Sequence, residues 1–479
     1  MPRPTFEVKT KHPSGYSKGP GLNAKSHERG RQTESEVTFW SDLENPWRIR
    51  CLYCALALVF IRCSLVHEAL THQLGFNIYP LYFFGIPAIA GVFLTGGLRR
   101  AFQFRPPVYW TLFGLWLIPA AILSIWRGGS VNLVTDYLKT DLIMLFVVGG
   151  LVVSWQECKA AILVIAAATL TTMGLFILFA QKDINGRAKI EFGIVSNSND
   201  YACHLILLLP FLLWVVLSLK SALVRIAALL ALAFGVYQVL ESGSRGALIA
   251  IGGAIITYVL STSGRKRKIA IILIPAVMIA AFNMLPSTVV NRIFSFSESN
   301  ATASAEALES SRIRQQLLHD SFVDTFYHPL FGVGPGQFST AEGTSKTPEQ
   351  GAGLWAEAHN SYTQASSETG LPGFTFFMAG LLSTVLLLNR VVKDSPGKIA
   401  SAEIMNAVLC LRIAIVGFCI AIFFLNFAYT FYLPTLAGLT MGMASGTKWL
   451  GQAAPPAAQK AEATRSTAHS RTLSKIAQK

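Results

Sequence analysis

From about residue 49 to residue 448 the chain alternates long apolar runs with polar breaks. Within each run the apolar residues are continuous rather than every second one, which predicts helices rather than half-exposed strands. Twelve runs stand out, at about 49–66, 77–97, 108–126, 140–155, 160–180, 201–219, 223–240, 246–262, 268–286, 372–390, 403–427 and 430–448. A helix of roughly 20 apolar residues crosses a bilayer, and lipid requires every backbone group to be satisfied within helices or a closed barrel. The pattern therefore predicts an all-α polytopic membrane protein of about twelve transmembrane helices. One break is long: residues 287–371 form a polar excursion before the last three runs, and loops of that length are functional or disordered. Residues 1–45 and 451–479 have no apolar period and predict disordered tails around a membrane domain at 46–450. No short apolar core with a small-residue cleavage site lies near the start, so a cleaved signal peptide is not expected.

Composition agrees with a membrane class: 52% of residues are hydrophobic and 14% are charged. The net charge of +14 raises nucleic acid as a partner, but its distribution argues for topology instead. Basic residues gather in alternate breaks: Arg99, Arg100 and Arg105, then Lys220 with Arg225, then Arg265-Lys266-Arg267-Lys268, then Arg390, Lys393 and Lys398. By the positive-inside rule these breaks and both tails face the cytoplasm. Breaks 127–139, 181–200, 241–245 and 287–371 then face outward. The seven cysteines lie in or beside apolar runs and read as packing residues; Cys51 and Cys54 alone make a weak metal or redox signal.

Candidate chemistry sits in the outward breaks. Glu241-Ser-Gly-Ser-Arg245-Gly246 is a tight turn carrying one arginine. It reads either as an interfacial anchor or as a guanidinium aimed at an anion, with glycines that let backbone approach. Ser311-Arg312-Ile313-Arg314 lies on a helix predicted at about 309–326, with apolar residues at Ile313, Leu317, Leu318, Phe322 and Phe326. Its arginines suit headgroups or substrate alike. His328-Pro-Leu-Phe-Gly332-Val-Gly334-Pro-Gly336-Gln-Phe338 is glycine-rich but lacks a strand–turn–helix setting, so a structural turn is favoured over a nucleotide fingerprint. The stretch Ala358 to Phe374, AHNSYTQASSETGLPGF, predicts a short helix entered by His359, closed by Gly370 and followed by a new helix at Pro372. His359 has no second histidine at zinc spacing. With an ordinary pKa of about 6.5 it suits general-base work, while Asn360 and Ser361 can serve neighbouring backbone or substrate hydroxyls.

Four segments in order resemble the O-antigen ligase and polymerase superfamily. His359-Asn360, nine residues, Gly370, two residues and Gly373 is similar to its histidine signature, and HPLFGVGPGQF to the segment upstream of it. SRGALIA and SNSNDYACHLILLLP are similar to two earlier segments, and the long break before the last three runs fits the same plan. Where the family often has a tryptophan four residues after the loop arginine, this chain has Leu318 after Arg314. The matching arginine is thus Arg312 or Arg314.

The resemblance implies a bacterial inner-membrane enzyme, active on the periplasmic side. It would transfer a glycan from an undecaprenyl diphosphate carrier to an acceptor hydroxyl, without metal or nucleotide-sugar cofactor. It implies His359, Arg245 and Arg314 as catalytic residues, with Arg312, Asn360, Ser244 and Asn199 binding substrate. Implied partners are the carrier-linked donor, a glycan or lipid A core acceptor and membrane lipid, with no nucleic acid. The ligase role stands first, a polymerase next and protein glycosylation last. A lipid or solute transporter is the alternative of another class, but no internal repeat supports it.

Overall fold

A computed structural model describes residues 42–183, 187–190, 192–193, 195, 197–294, 305–345, 353–394 and 402–452. The expected tails fall outside these residues, apart from 42–45 and 451–452. All twelve apolar runs lie on helices. In chain order these are α1 (Pro46–Ser64), α2 (Val66–Leu74), α3 (Pro80–Leu94), α4 (Gly97–Ala101), α5 (Pro106–Ile122), α6 (Arg127–Asp136), α7 (Ile143–Leu151) and α8 (Trp155–Phe179). Then follow α9 (Ser198–Ser218), α10 (Ala222–Glu241), α11 (Arg245–Ser261), α12 (Gly264–Asn283), α13 (Ser287–Phe294), α14 (Ala305–Tyr327), α15 (Phe338–Ser345), α16 (Ser361–Asp394), α17 (Ala402–Ala421) and α18 (Tyr432–Gln452). Among the described residues, a two-stranded antiparallel ribbon, Gln181–Lys182 with Ala188–Lys189, and an isolated bridge between Phe192 and Val195 depart from an all-α chain.

Five of these helices are long and apolar enough to cross a membrane: α8, α9, α10, α16 and α17 with its continuation to Phe424. A sixth is available if α1 and α2, bent by 68°, form one broken span. The bend falls at Leu65, held in the left-handed region at φ 58°. Helices α3, α5 and α11 are apolar but shorter. The run expected at 140–155 is helical for nine residues only, in α7. Ser154 and Glu157 then form a capping box that starts α8 and cuts the run short. Before α7, a π-helical turn at Tyr137–Asp141 joins it to α6, so the expected outer loop at 127–139 is itself helical.

The bundle closes around α9. It packs on α8, α10 and α17, and 78% of its apolar window is buried, against 28% for α10. Helix α11 packs on α17, and α16 on α5 and α18. The long insertion does not stand apart from this bundle, because α14 lies along α16, with Thr325 and Ser366 hydroxyls hydrogen bonded at 2.8 Å.

Candidate functional site

The site is built on an interrupted helix. Gly370 breaks α16 with φ 69° and ψ −178°, and the helix resumes into Pro372, as the glycine–proline spacing predicts. A break strands carbonyls that lipid cannot satisfy. Here the glycine-rich turn satisfies them. Val333 N–H donates to Ser367 C=O at 2.8 Å and Gly334 N–H to Glu368 C=O at 3.1 Å. The Trp116 indole donates to Thr369 C=O at 2.9 Å. On the far side of the break, Leu371 N–H donates to Pro329 C=O at 2.8 Å. The fit leaves no room for side chains: a Cβ on Gly332 would stand 2.3 Å from the Glu368 carbonyl carbon, and one on Gly370 2.3 Å from the Leu330 oxygen. The turn is therefore structural. Its remaining N–H groups do not await phosphate either, since Gly336 and Phe338 donate to the buried Glu368 carboxylate at 2.8 and 3.3 Å.

That interlock fixes the entry to α16. Asn360 is buried, and its Oδ1 accepts from Tyr362 N–H at 2.9 Å and Thr363 N–H at 3.2 Å. Of the roles the sequence left open to Asn360, the geometry shows the one toward neighbouring backbone: its Oδ1 caps the helix. Ser361 ties the same end to the 425–427 segment, donating to Leu425 C=O and accepting from Phe427 N–H, both at 2.7 Å. Between the cap and Ala358, which is buried with Leu317 and Phe338, stands His359 in the left-handed region at φ 49°.

Ile313 and Leu317 anchor α14 against that same small cluster. Arg314 follows Ile313 and is thereby carried close to His359. Two residues span about 200° of helix, so Arg312 points away and is exposed while Arg314 is half-buried. Burial first, and the Arg314 charge second, push the His359 imidazole down to about 4. This corrects the expectation of an ordinary value near 6.5: the ring is partly desolvated and faces a guanidinium, and both disfavour its cation.

Arg314 lines a crevice with Asn199, Ser244, Gly246 and Ala247, closed by Cys203, Ala421, Phe424 and Leu425. Two helix N-termini meet there. Asn197 caps α9, accepting from Asn199 and Asp200 N–H at 2.8 and 3.1 Å, and Ser244 caps α11, accepting from Ala247 N–H at 3.4 Å. The positive ends of both helices and a guanidinium converge, which favours an anion. Gly246 is needed for closure, because a Cβ there would fall 2.7 Å from the Phe424 ring. Arg245 is half-buried in the first turn of α11, between two crevice residues.

One arginine not singled out in the sequence also belongs here. Arg187, beside the short ribbon, donates from Nε to Ser242 C=O at 2.8 Å and from Nη2 to the Asn199 carboxamide oxygen at 3.1 Å. Its only sequence signal is that it is a basic residue in an outward break just ahead of the SNSND segment.

Residues 227–378 match the family model described as O-antigen ligase. That stretch is similar to the O-antigen ligase family. The matched stretch runs from α10 through the Arg245 turn, α14 and His359 to the resumed half of α16, while Arg187 and Asn199 precede it. No curated protein matches the chain significantly. The Gly370 break and the upstream glycine turn form one interlocked unit, and this multi-pass membrane protein carries His359 beside Arg314 of the crevice.

Proposed function

We propose that the protein transfers a glycan from an undecaprenyl diphosphate carrier to an acceptor hydroxyl, as a ligase of surface-polysaccharide assembly at the periplasmic face of the inner membrane. The observation that carries this reading is the crevice, where Asn199, Ser244 and Arg314 meet at two helix N-termini with His359 alongside. A diphosphate leaving group needs cations and N–H donors where its charge develops. Arg314, Arg245 and Arg187 supply the first, and the α9 and α11 termini the second.

In the reaction the acceptor oxygen attacks the anomeric carbon and its proton passes to His359. The bond from that carbon to the diphosphate oxygen breaks, and the electron pair leaves on the phosphate. Attack opposite the leaving group inverts the anomeric centre without a covalent sugar–enzyme intermediate. His359 is neutral at physiological pH and therefore ready to accept. A diphosphate beside Arg314 offsets the guanidinium charge, which raises the imidazole's basicity when the donor is bound. The crevice holds about 10 Å³, room for one water, so donor entry requires it to widen. Asn199 and Ser244 stand on bundle helices and Arg314 on the inserted α14, whose displacement is the simplest route.

The test is transfer by purified protein in detergent from a carrier-linked glycan to an acceptor, with released carrier diphosphate as readout. Absence of transfer from any polyprenyl-diphosphate donor would sink the proposal. In a deletion strain, carrier-linked polymer is the expected product of a lost ligase, and single repeat units would reassign the protein as a polymerase.

A further inference from the structure

Leu425 lines the crevice, and the next residue, Asn426, lines a second cavity of about 430 Å³. Its wall carries Asp136, Tyr137, Asp141, Glu357 and Glu368, and among the described residues no lysine or arginine lines it. The first three flank the π-helical turn, where Leu142 N–H donates to Tyr137 C=O at 2.8 Å. Such turns inside helices occur often at functional sites.

The Tyr137 hydroxyl and Asn426 Oδ1 are among the polar atoms in this wall that are buried without a hydrogen-bond partner among the described residues. Tyr137 is 1% exposed. A buried polar group without a partner is costly and calls for an explanation. One of these atoms can donate and the other accepts. A sugar hydroxyl does both, and carboxylates accept from further hydroxyls.

A cation is a poorer fit. Asp141 pairs with Arg62, Asp136 with Lys139 at 2.6 Å, and Glu368 holds two backbone N–H groups. Glu357 accepts from Asn426 Nδ2 at 2.5 Å. No three metal-ligating side chains gather among the described residues.

We propose that this cavity is the acceptor subsite and that it takes a neutral or amino-bearing sugar and rejects an acidic one. The inference rests on the glycan-transfer reading. His359 is tied to both sites, two residues after Glu357 of the cavity and within reach of the Arg314 charge of the crevice, which suits a base serving both substrates.

The test is direct binding to the full chain in detergent, with no carrier present. The probes are the trimers of glucosamine, N-acetylglucosamine and galacturonate. The first two are expected to bind and the third not. Glu357→Gln should weaken the glucosamine trimer roughly 10-fold, the effect of losing one charge-assisted contact. Tyr137→Phe should weaken the N-acetylglucosamine trimer while leaving the unfolding temperature unchanged or higher, because it removes an unpartnered hydroxyl. A purely structural Tyr137 would leave trimer binding unmoved. Glu357 is exposed, so its variant carries the test if Tyr137→Phe fails to fold. Equal binding of the galacturonate trimer, binding of none of the three, or normal binding by the Glu357→Gln protein overturns the proposal. Trimer binding that persists without any carrier-dependent transfer would overturn the transfer reading instead.

Discussion

At the scale of single residues, the proposed chemistry turns on a histidine whose surroundings oppose its cation. The acid limb of kcat/KM reports groups in the free enzyme. With His359 as the proposed base the neutral ring is the active form, so rate should be lost as pH falls through the imidazole's value, expected near 4 rather than near 6.5. Arg314→Ala removes one of the two causes and should move that limb upward, as well as lowering the rate by about 10²-fold as a lost oxyanion donor does. Arg312→Ala, on the exposed side of α14, should do neither. An Arg312→Ala enzyme more impaired than Arg314→Ala would invert the assignment. His359→Gln keeps a hydrogen bond but cannot take the proton, and should lose about 10²–10⁴-fold. Near-normal transfer by that variant would mean the imidazole only positions substrate. Arg245→Lys keeps charge but loses the planar fork, so little of the activity lost in Arg245→Ala should return. Normal transfer by the lysine variant would reduce Arg245 to a membrane anchor.

At the scale of elements, the broken helix α16 explains why the histidine signature has its spacing. Nine residues separate Asn360 from Gly370 because one short helix, capped by Asn360, must end where the glycine turn can receive its carbonyls. Gly370→Ala meets both a left-handed φ and the Leu330 oxygen at 2.3 Å. Strain and overpacking of that kind cost roughly 2–4 kcal/mol together, read as a fall in the thermal unfolding midpoint in detergent. An unchanged midpoint would show that the turn yields. The break was legible in the sequence because glycine and proline act locally. So was the amphipathic α14, because its apolar period is local too. The roles of Arg187 and Glu368 were not. Arg187 reaches Ser242 across 55 positions and Glu368 reaches Gly336 across 32, and nothing local to either residue encodes the partner. The cap made by Asn360 was open in the sequence for a related reason: a carboxamide suits a cap and a ligand equally, and only its distances to Tyr362 and Thr363 show the cap.

At the scale of the whole molecule, apolar length predicts helices better than it predicts crossings. Every apolar run is helical, yet among the described residues five helices, or six with the bent pair, have the length and composition to span. The others fall short for particular reasons. Helix α7 stops at a capping box, α11 starts at the crevice with Arg245, and α12 begins with Arg265 to Lys268 and so has a shorter apolar remainder. Short helices can still cross where neighbours cover their ends or the bilayer thins, at a cost of fractions of a kcal/mol per Å of mismatch. The charge pattern then makes a firm prediction for orientation. Arg265 to Lys268 and both tails should face the cytoplasm, and 287–371 the opposite side. The crevice tests this independently of charge. Arg245 at the start of α11 must share the compartment of Arg314, because Ser244 and Arg314 line one crevice, and if α11 crosses, the basic cluster at its other end lies across the membrane from both. A periplasm-active reporter should therefore be active when fused within 287–371, and silent when fused just after Lys268 or in the C-terminal tail. Activity after Lys268 would place both ends of α11 on one side, and α11 would then be a re-entrant helix rather than a crossing.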